Sequence, residues 1–281
     1  MFLLDNQALL AMLKEDVPYG DLTTRSLAFG TTRGHIVFTA RDPMVACATE
    51  EAARIFELLG CAVDLSAESG AHKAAGELLL AAGGCAEALF TGWKVAQTLV
   101  EWASGVATAA AAIVSAARAA NPGVTVACTR KAIPGTRALS FKAIIAGGAA
   151  LHRSGLSDTV LVFPEHRAFD SACLKNQLAR LRASCPEKCI VVEVTSHDDA
   201  LRAAEWGAGV VQLEKFSPDA VAAVVAAMGP ARPARIAAAG GITPANAAVY
   251  AASGADVLVT SAPYYARPAD VQVTLSPAAA G

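Results

Sequence analysis

Two adjacent cations, Arg130 and Lys131, follow closely on the β-branched run Val124-Thr125-Val126, and a second basic pair, His152-Arg153, lies ahead of the apolar run Thr159 to Phe163. A Pro134-Gly135 turn between them opens a helical segment that runs through Ala150. Basic pairs flanking one strand–helix unit could hold an anionic substrate in a barrel mouth, where active sites of that architecture gather. Cations at element ends also cap helices and face solvent, and these residues alone leave both readings open. Downstream, further chemistry-bearing residues recur at strand ends. Glu193 lies within Ile190–Val194, Glu214 and Lys215 follow Val210–Leu213, Gly240 and Gly241 follow Arg235–Ala238, and Ser261-Ala262 end Val257–Thr260. Random scatter would not favour strand ends so consistently.

The elements that must position these residues alternate. Strands are expected at 124–128, 159–163, 190–194, 210–213, 235–238 and 257–260, with helices at 169–183, 198–206, 218–228 and 244–252. Such alternation makes parallel βαβ units. With six clear strands, a short or incomplete α/β barrel is preferred to the eight-stranded form.

The chain has 281 residues, enough for one large or two moderate domains with a substantial core. Hydrophobic residues make up 54% and charged residues 17%, which excludes disorder over most of the length. A net charge of −2 argues against a nucleic-acid-binding surface, so the local basic clusters read as sites rather than as a global field. The seven cysteines contain no CxxC pair and read as reduced, mostly structural thiols, with no zinc site. The start, MFLLDNQALLAMLKED, lacks a basic leader and reads as an amphipathic helix. Trp102 to Ala120 is the most membrane-like stretch, but it is mostly alanine and contains Arg118, so a packed helix is expected. The reading is a soluble, cytoplasmic protein with no membrane and no nucleic-acid partner.

In the first hundred residues, Pro18 and Gly20 interrupt the first helix and Asp21 is placed to cap a following turn with Thr23 and Thr24. HIVFTA at 35–40 reads as a strand, Thr49–Leu59 as a helix with one buried face, GELLLAAGG as a short strand, and Phe90 onward as a long helix. His35, His72, His166 and His197 read as solvated or locally bonded histidines. Residues 270–275, DVQVTL, alternate like a strand, and the final SPAAAG reads as a frayed tail.

The wording of the central stretch is specific. TRK, a Pro-Gly turn, a helix, HR and then GLSD-x-VL together resemble the signature of quinolinate phosphoribosyltransferases, also called nicotinate-nucleotide pyrophosphorylases. The segments GD-x-TT near the start and SGVAT in the long helix have counterparts in that family. With its substitutions the chain is most similar to the molybdenum-transport-associated, ModD-type pyrophosphorylase paralogues. The resemblance implies an α/β barrel, here 108–265, joined to an α/β-sandwich domain, here 1–107 completed by 266–281. It also implies a cytoplasmic homodimer acting as a pentosyltransferase on phosphoribosyl pyrophosphate with Mg²⁺.

Carried over residue by residue, Lys131 resembles the lysine that engages the donor's pyrophosphate, and Glu193 and Glu214 match acidic positions near the ribose and metal. Glu214 stands where aspartate is usual. The Gly240-Gly241 and Ser261-Ala262 loops resemble the 5′-phosphate cradle, with Pro244 favouring a helix start beside it. Arg130, His152 and Arg153 match residues that hold the pyridine dicarboxylate. Aligning SGVAT puts Lys94 where the family's helix supplies an arginine to the neighbouring subunit, so the charge survives without the bidentate fork. Phe163 replaces a lysine. Losing that charge leaves a carboxylate less well compensated, while the ring offers an apolar face. The donor half therefore looks retained, with an acceptor other than quinolinate. Alternatives are a true quinolinate enzyme of NAD biosynthesis, an aldolase using Lys131 as a Schiff base, or a catalytically impaired ligand-binding paralogue linked to molybdate uptake.

Overall fold

The structure, a computed structural model, describes residues 4–278; the expectations for residues 1–3 and for the last three residues of the tail lie outside it. In chain order, the side chain of Asp5 caps α1 (Asn6–Asp16) by accepting from the Ala8 N–H at 2.8 Å. Asp21 caps α2 (Leu22–Ser26) through the amides of Thr23 and Thr24, as its position before two threonines predicts. Then follow β1 (Arg33–Ala40), β2 (Met44–Val45), α3 (Thr49–Leu58), β3 (Ala62–Leu65), β4 (His72–Lys73), β5 (Leu78–Cys85) and the long α4 (Ala86–Ala120). The second half contains β6 (Thr125–Cys128), α5 (Arg137–Ala146), β7 (Ala150–Leu151), β8 (Val160–Val162), α6 (Pro164–Phe169), α7 (Leu174–Ser184), β9 (Ile190–Val194) and α8 (His197–Glu205). It ends with β10 (Val210–Glu214), α9 (Pro218–Met228), β11 (Arg235–Ala239), α10 (Ala247–Ala252), β12 (Val257–Thr260) and β13 (Val271–Pro277).

These elements form two compact units. Among the described residues, the first comprises 4–111, 133–148 and 263–278, the second 112–132 and 149–262. Within the first, four antiparallel strands run in the order β13-β1-β5-β3, with Ile36 opposite Leu275 and Phe38 opposite Val273. Alternate residues of β1, among them Ile36 and Phe38, are buried, and Phe38 meets Phe56 of α3 edge-on at 5.9 Å. By length and composition α4 could cross a membrane. Ala96, Val100, Ala103, Ala107 and Ile113 on it are nevertheless fully buried within the protein, the pattern of a core helix.

The division departs from the expected one at 133–148, which was assigned to the barrel and instead groups with the first unit. The physical reason is an ion cluster. The Lys142 side chain is 1% exposed, its ammonium lies 2.8 Å from a carboxylate oxygen of Glu50, and it also bonds Glu51, whose side chain is equally buried. The Ser69 hydroxyl donates to Glu50 at 2.6 Å. Gly147 closes the packing, since a Cβ there would lie 2.4 Å from the Ala107 carbonyl oxygen of α4.

The second unit is a parallel sheet in the order β7-β6-β12-β11-β10-β9-β8. The six expected strands are present and a seventh, β7, joins them, so the barrel is incomplete with seven strands rather than six. At two residues β7 is too short to show a period. It begins where the preceding helix had been expected to end, because α5 stops at Ala146 and Gly148 turns with φ +78°. β7 and β8 are the two edges, and the segment between them carries His152 and Arg153. The helix expected at 169–183 begins at Leu174 as α7, behind the short, unexpected α6, and the one expected from Pro244 begins at Ala247.

Replacing Lys142 with Met strands the buried Glu51 carboxylate and the partly buried Glu50 carboxylate and is expected to cost about 3–5 kcal/mol in urea unfolding, part of which a Lys142→Met/Glu51→Leu double variant recovers. Burial raises the Glu50 pKa, but its bonds from Lys142 and Ser69 outweigh that and hold it below the usual carboxylate value. A depressed folded-state pKa contributes stability that is complete above the unfolded value and is lost as pH falls through the folded one. The Lys142→Met deficit measured by urea unfolding should therefore shrink as pH drops below about 4.

Candidate active site

Parallel pairing without a register break decides which side chains share a face. Glu193 of β9 pairs with Gln212 of β10, Gln212 with Ala237 of β11, Ala237 with Val257 of β12, and Val257 with Thr125 of β6. Two residues further along the same face are Glu214, Ala239, Val259 and Ala127. The charged residues thus come from β9 and β10, while the other strands contribute small or branched residues beside them. A cavity of about 880 Å³ opens over this face, lined among others by Arg130, Lys131, His152, Arg153, Phe163, Glu193, Gln212, Glu214, Lys215, Gly240, Gly241 and Ser261. Ten of the sequence candidates therefore meet at one mouth: Arg130, Lys131, His152, Arg153, Phe163, Glu193, Glu214, Gly240, Gly241 and Ser261.

The charges in this mouth are poorly compensated by protein. Arg153 is 6% exposed, and its guanidinium lies 5.4 Å from the centre of the Phe163 ring. Among the described residues, Arg130, Lys131, Arg153 and Lys215 form no ion pair. Burial, then Arg130, lowers the Arg153 pKa, with Glu193 opposing. Burial, then the charge of Arg153, pushes His152 below its usual value, so its neutral form is favoured near pH 7. Burial, then the nearby Glu214 carboxylate, raises Glu193, with Gln212 and Lys131 acting the other way. An anion among the cations and a cation between the carboxylates would each relieve a cost the protein carries alone.

Gln212 was not among the candidate site residues, and it joins both halves of the mouth. It is 4% exposed, its Nε2 donates to Glu193 at 2.6 Å, and its buried Oε1 has no partner of hydrogen-bonding geometry. His152 lies close enough for that oxygen to favour its protonated form, although no bond of good geometry forms. The available signal was an amide in the otherwise apolar strand core of VVQLE.

The glycine loop differs in detail from expectation. α10 begins at Ala247 rather than at Pro244, after a turn in which the Asn246 side chain accepts from Thr243 N–H and donates to the Gly241 carbonyl. The Thr260 hydroxyl, at the end of β12, donates to the Ile242 carbonyl at 2.7 Å and ties the loop down. Ala262 does not line the cavity, and its amide is spent on Thr260 Oγ1 at 3.0 Å. Ser261 is the member of that pair that reaches the mouth. Phe163 is already stacked on His166, centroids 5.6 Å apart at 15°, and its backbone N–H donates to His166 Nδ1, so His166 has a local structural task. Lys215 adopts φ +58°, a left-handed conformation costing a non-glycine residue on the order of 1 kcal/mol.

Lys94 belongs to the first unit and does not line this cavity. Its ammonium sits 4.2 Å from the Trp93 ring centre and bonds Gln97 at 3.0 Å, beside a mostly apolar groove of about 640 Å³. For a metal, the described residues contain no cluster of three or more His, Cys, Asp or Glu side chains. Two carboxylates that burden each other's charge fit Mg²⁺ held jointly with substrate phosphates, rather than an all-protein cage.

Comparison with known proteins agrees with this geometry. Residues 21–104 match the family model of the quinolinate phosphoribosyl transferase N-terminal domain, and 106–274 that of its C-terminal domain. The chain is 59% identical over 244 residues to the "Putative pyrophosphorylase ModD" of Rhodobacter capsulatus, covering 86% of this chain and 94% of that one. It is 33% identical to the human nicotinate-nucleotide pyrophosphorylase (carboxylating), covering 82% and 77%. NadC from Streptococcus pyogenes shares the fold with a TM-score of 0.89 at 24% identity, covering 97% and 96%. Two domain matches that together span most of the chain, over a seven-stranded open barrel with an anion-ready mouth, show that it belongs to the quinolinate phosphoribosyltransferase family of pentosyl-transferring enzymes.

Proposed function

We propose that the protein transfers phosphoribose from phosphoribosyl pyrophosphate to a nitrogen heterocycle other than quinolinate, releasing pyrophosphate. The observation that carries the reading is the mouth itself. Unpaired Arg130, Lys131 and Arg153, the Glu193–Glu214 pair and the Gly240-Gly241 loop surround one cavity of about 880 Å³. A doubly phosphorylated sugar needs cations, backbone that can be approached closely and usually Mg²⁺, and each of these has a counterpart here.

In this reading Lys131 engages the departing pyrophosphate, and Gly240, Gly241 and Ser261 receive the 5′-phosphate. Mg²⁺, when bound with the donor, offsets pyrophosphate charge, and Glu193 and Glu214 would hold it directly or through water. As the C1–O bond breaks and pyrophosphate leaves with the electron pair, Glu193 and Glu214 stabilise positive charge at C1. The ring nitrogen of the acceptor then closes the C1–N bond. Orientation and electrostatics suffice, and no covalent enzyme intermediate is needed. An acceptor with a carboxylate adjacent to that nitrogen could lose CO₂ afterwards.

Arg130, Arg153 and His152 form the acceptor end, with Phe163 as its apolar wall. His152, favoured neutral, offers one N–H rather than a full charge, so this end is less suited to two carboxylates than its basic sequence suggests. In the proposed homodimer, Lys94 is presented to the mouth of the second copy. A link to molybdate handling rests on the sequence resemblance to the ModD-type paralogues alone.

A pyrophosphate-release screen with donor, Mg²⁺ and pyridine, imidazole and purine-like acceptors tests the reading, and donor-dependent release with at least one non-quinolinate acceptor is expected. Quinolinate turnover matching a dedicated quinolinate enzyme would refute the altered-acceptor claim. Phe163→Lys should raise kcat/KM for quinolinate by roughly tenfold, the worth of one added charge-assisted contact. Because Glu193 is held above the usual carboxylate value and acts ionised, kcat/KM should fall as pH drops through that raised value, and Glu193→Gln should flatten this acidic limb in a pH–rate profile.

A further inference from the structure

Lys215 has no assigned task, although the backbone accepts a strained conformation to place it. It is the first residue after β10, with φ +58° and its N–H donating to the Ala239 carbonyl at 2.7 Å. Its side-chain stem crosses Gly240 so closely that a Cβ there would lie 2.8 Å from Lys215 Cγ and 3.3 Å from Glu214 Oε1. Gly240 is itself left-handed at φ +97°. The bare glycine and the strained lysine therefore require each other. One provides the gap through which the other's stem passes.

A lysine in left-handed backbone gains nothing locally that glycine would not give more cheaply. Lys215 lines the cavity, is exposed and pairs with no carboxylate among the described residues. Unlike Arg130 and Arg153, it is carried beside the glycine loop. That loop's far side is pinned by Thr260 and Asn246.

We propose that Lys215 is a substrate-binding residue for a phosphate monoester, its ammonium gripping the phosphate that the Gly240-Gly241 loop receives. The assignment rests on the phosphoribosyl reading only in identifying that monoester as the donor's 5′-phosphate. Strained backbone would then be retained for binding rather than for folding.

Calorimetric titration of the Mg²⁺-loaded protein with ribose 5-phosphate, inorganic pyrophosphate and phosphoribosyl pyrophosphate separates the possibilities, with thermal unfolding recorded on the same samples. Lys215→Gly removes the charge and the strain together. It should unfold at the same or a higher temperature while binding ribose 5-phosphate and the donor at least tenfold more weakly. Lys215→Arg should recover most of that affinity. Wild-type affinity in Lys215→Gly, weakening confined to pyrophosphate, or no ribose 5-phosphate binding by the native protein would each overturn the proposal. Binding of ribose 5-phosphate that depends on Lys215, without pyrophosphate release from any acceptor, would uphold it while sinking the transferase reading.

Discussion

The candidate site depends on one constraint, the unbroken parallel register from β9 through β12 to β6. In a parallel ladder, paired residues point to the same face, so pairing Glu193 with Gln212 sends both side chains, and Glu214 two residues on, into the mouth. A slip of one residue would turn Glu193 outward and bring Val194 in. The alanines of β11 matter as much as the acids. Ala237 and Ala239 occupy the same face as Gln212 and Glu214 and keep the space in front of them open. Ala239 itself lines the cavity, where a larger side chain would fill it.

Within that frame the charges are held at a cost, and the pattern of costs is informative. Arg153 is almost fully buried yet meets an aromatic ring rather than a carboxylate, and Glu193 and Glu214 repel one another. The Gln212 carbonyl oxygen is buried without a partner of good geometry. Stability alone would not select any of these, because a buried polar group without its partner is destabilising. The first unit shows the contrast. There Lys142 is equally buried but saturated by Glu50 and Glu51, as a structural ion cluster should be. A saturated cation such as Lys142 serves architecture, whereas the unpaired cations of the mouth are left for chemistry.

Much of this was legible in the chain. Alternating apolar runs and helical spacings locate six of the seven barrel strands, and local chemistry locates the cap at Asp21 and the turn at Gly240-Gly241. The short β7 was missed because two residues carry no period, and it exists only through pairing with Ala127 and Cys128. The segment 133–148 looked like barrel because it lies between barrel strands in sequence; Lys142 joins it to α3 through partners some 90 residues away. The helix expected from Pro244 is preceded by a turn over 244–246, which the Asn246 side chain ties to Thr243 and Gly241.

For the site, residue type and strand-end position were enough to nominate Arg130, Lys131, His152, Arg153, Glu193, Glu214 and the glycines, because those properties are local. The family signature in TRK and GLSD-x-VL is likewise a property of the chain alone. Which of these residues share a cavity, which are buried and which lack a partner were decided only by the tertiary structure. Gln212 gained significance when its strand turned it toward Glu193 and His152. Lys215 and Gly240 are distant in sequence, and only the adjacency of β10 and β11 makes the gap at one the path of the other. Burial and partnership are sums over contacts remote along the chain, so local pattern names the groups while packing sets their charge and reach.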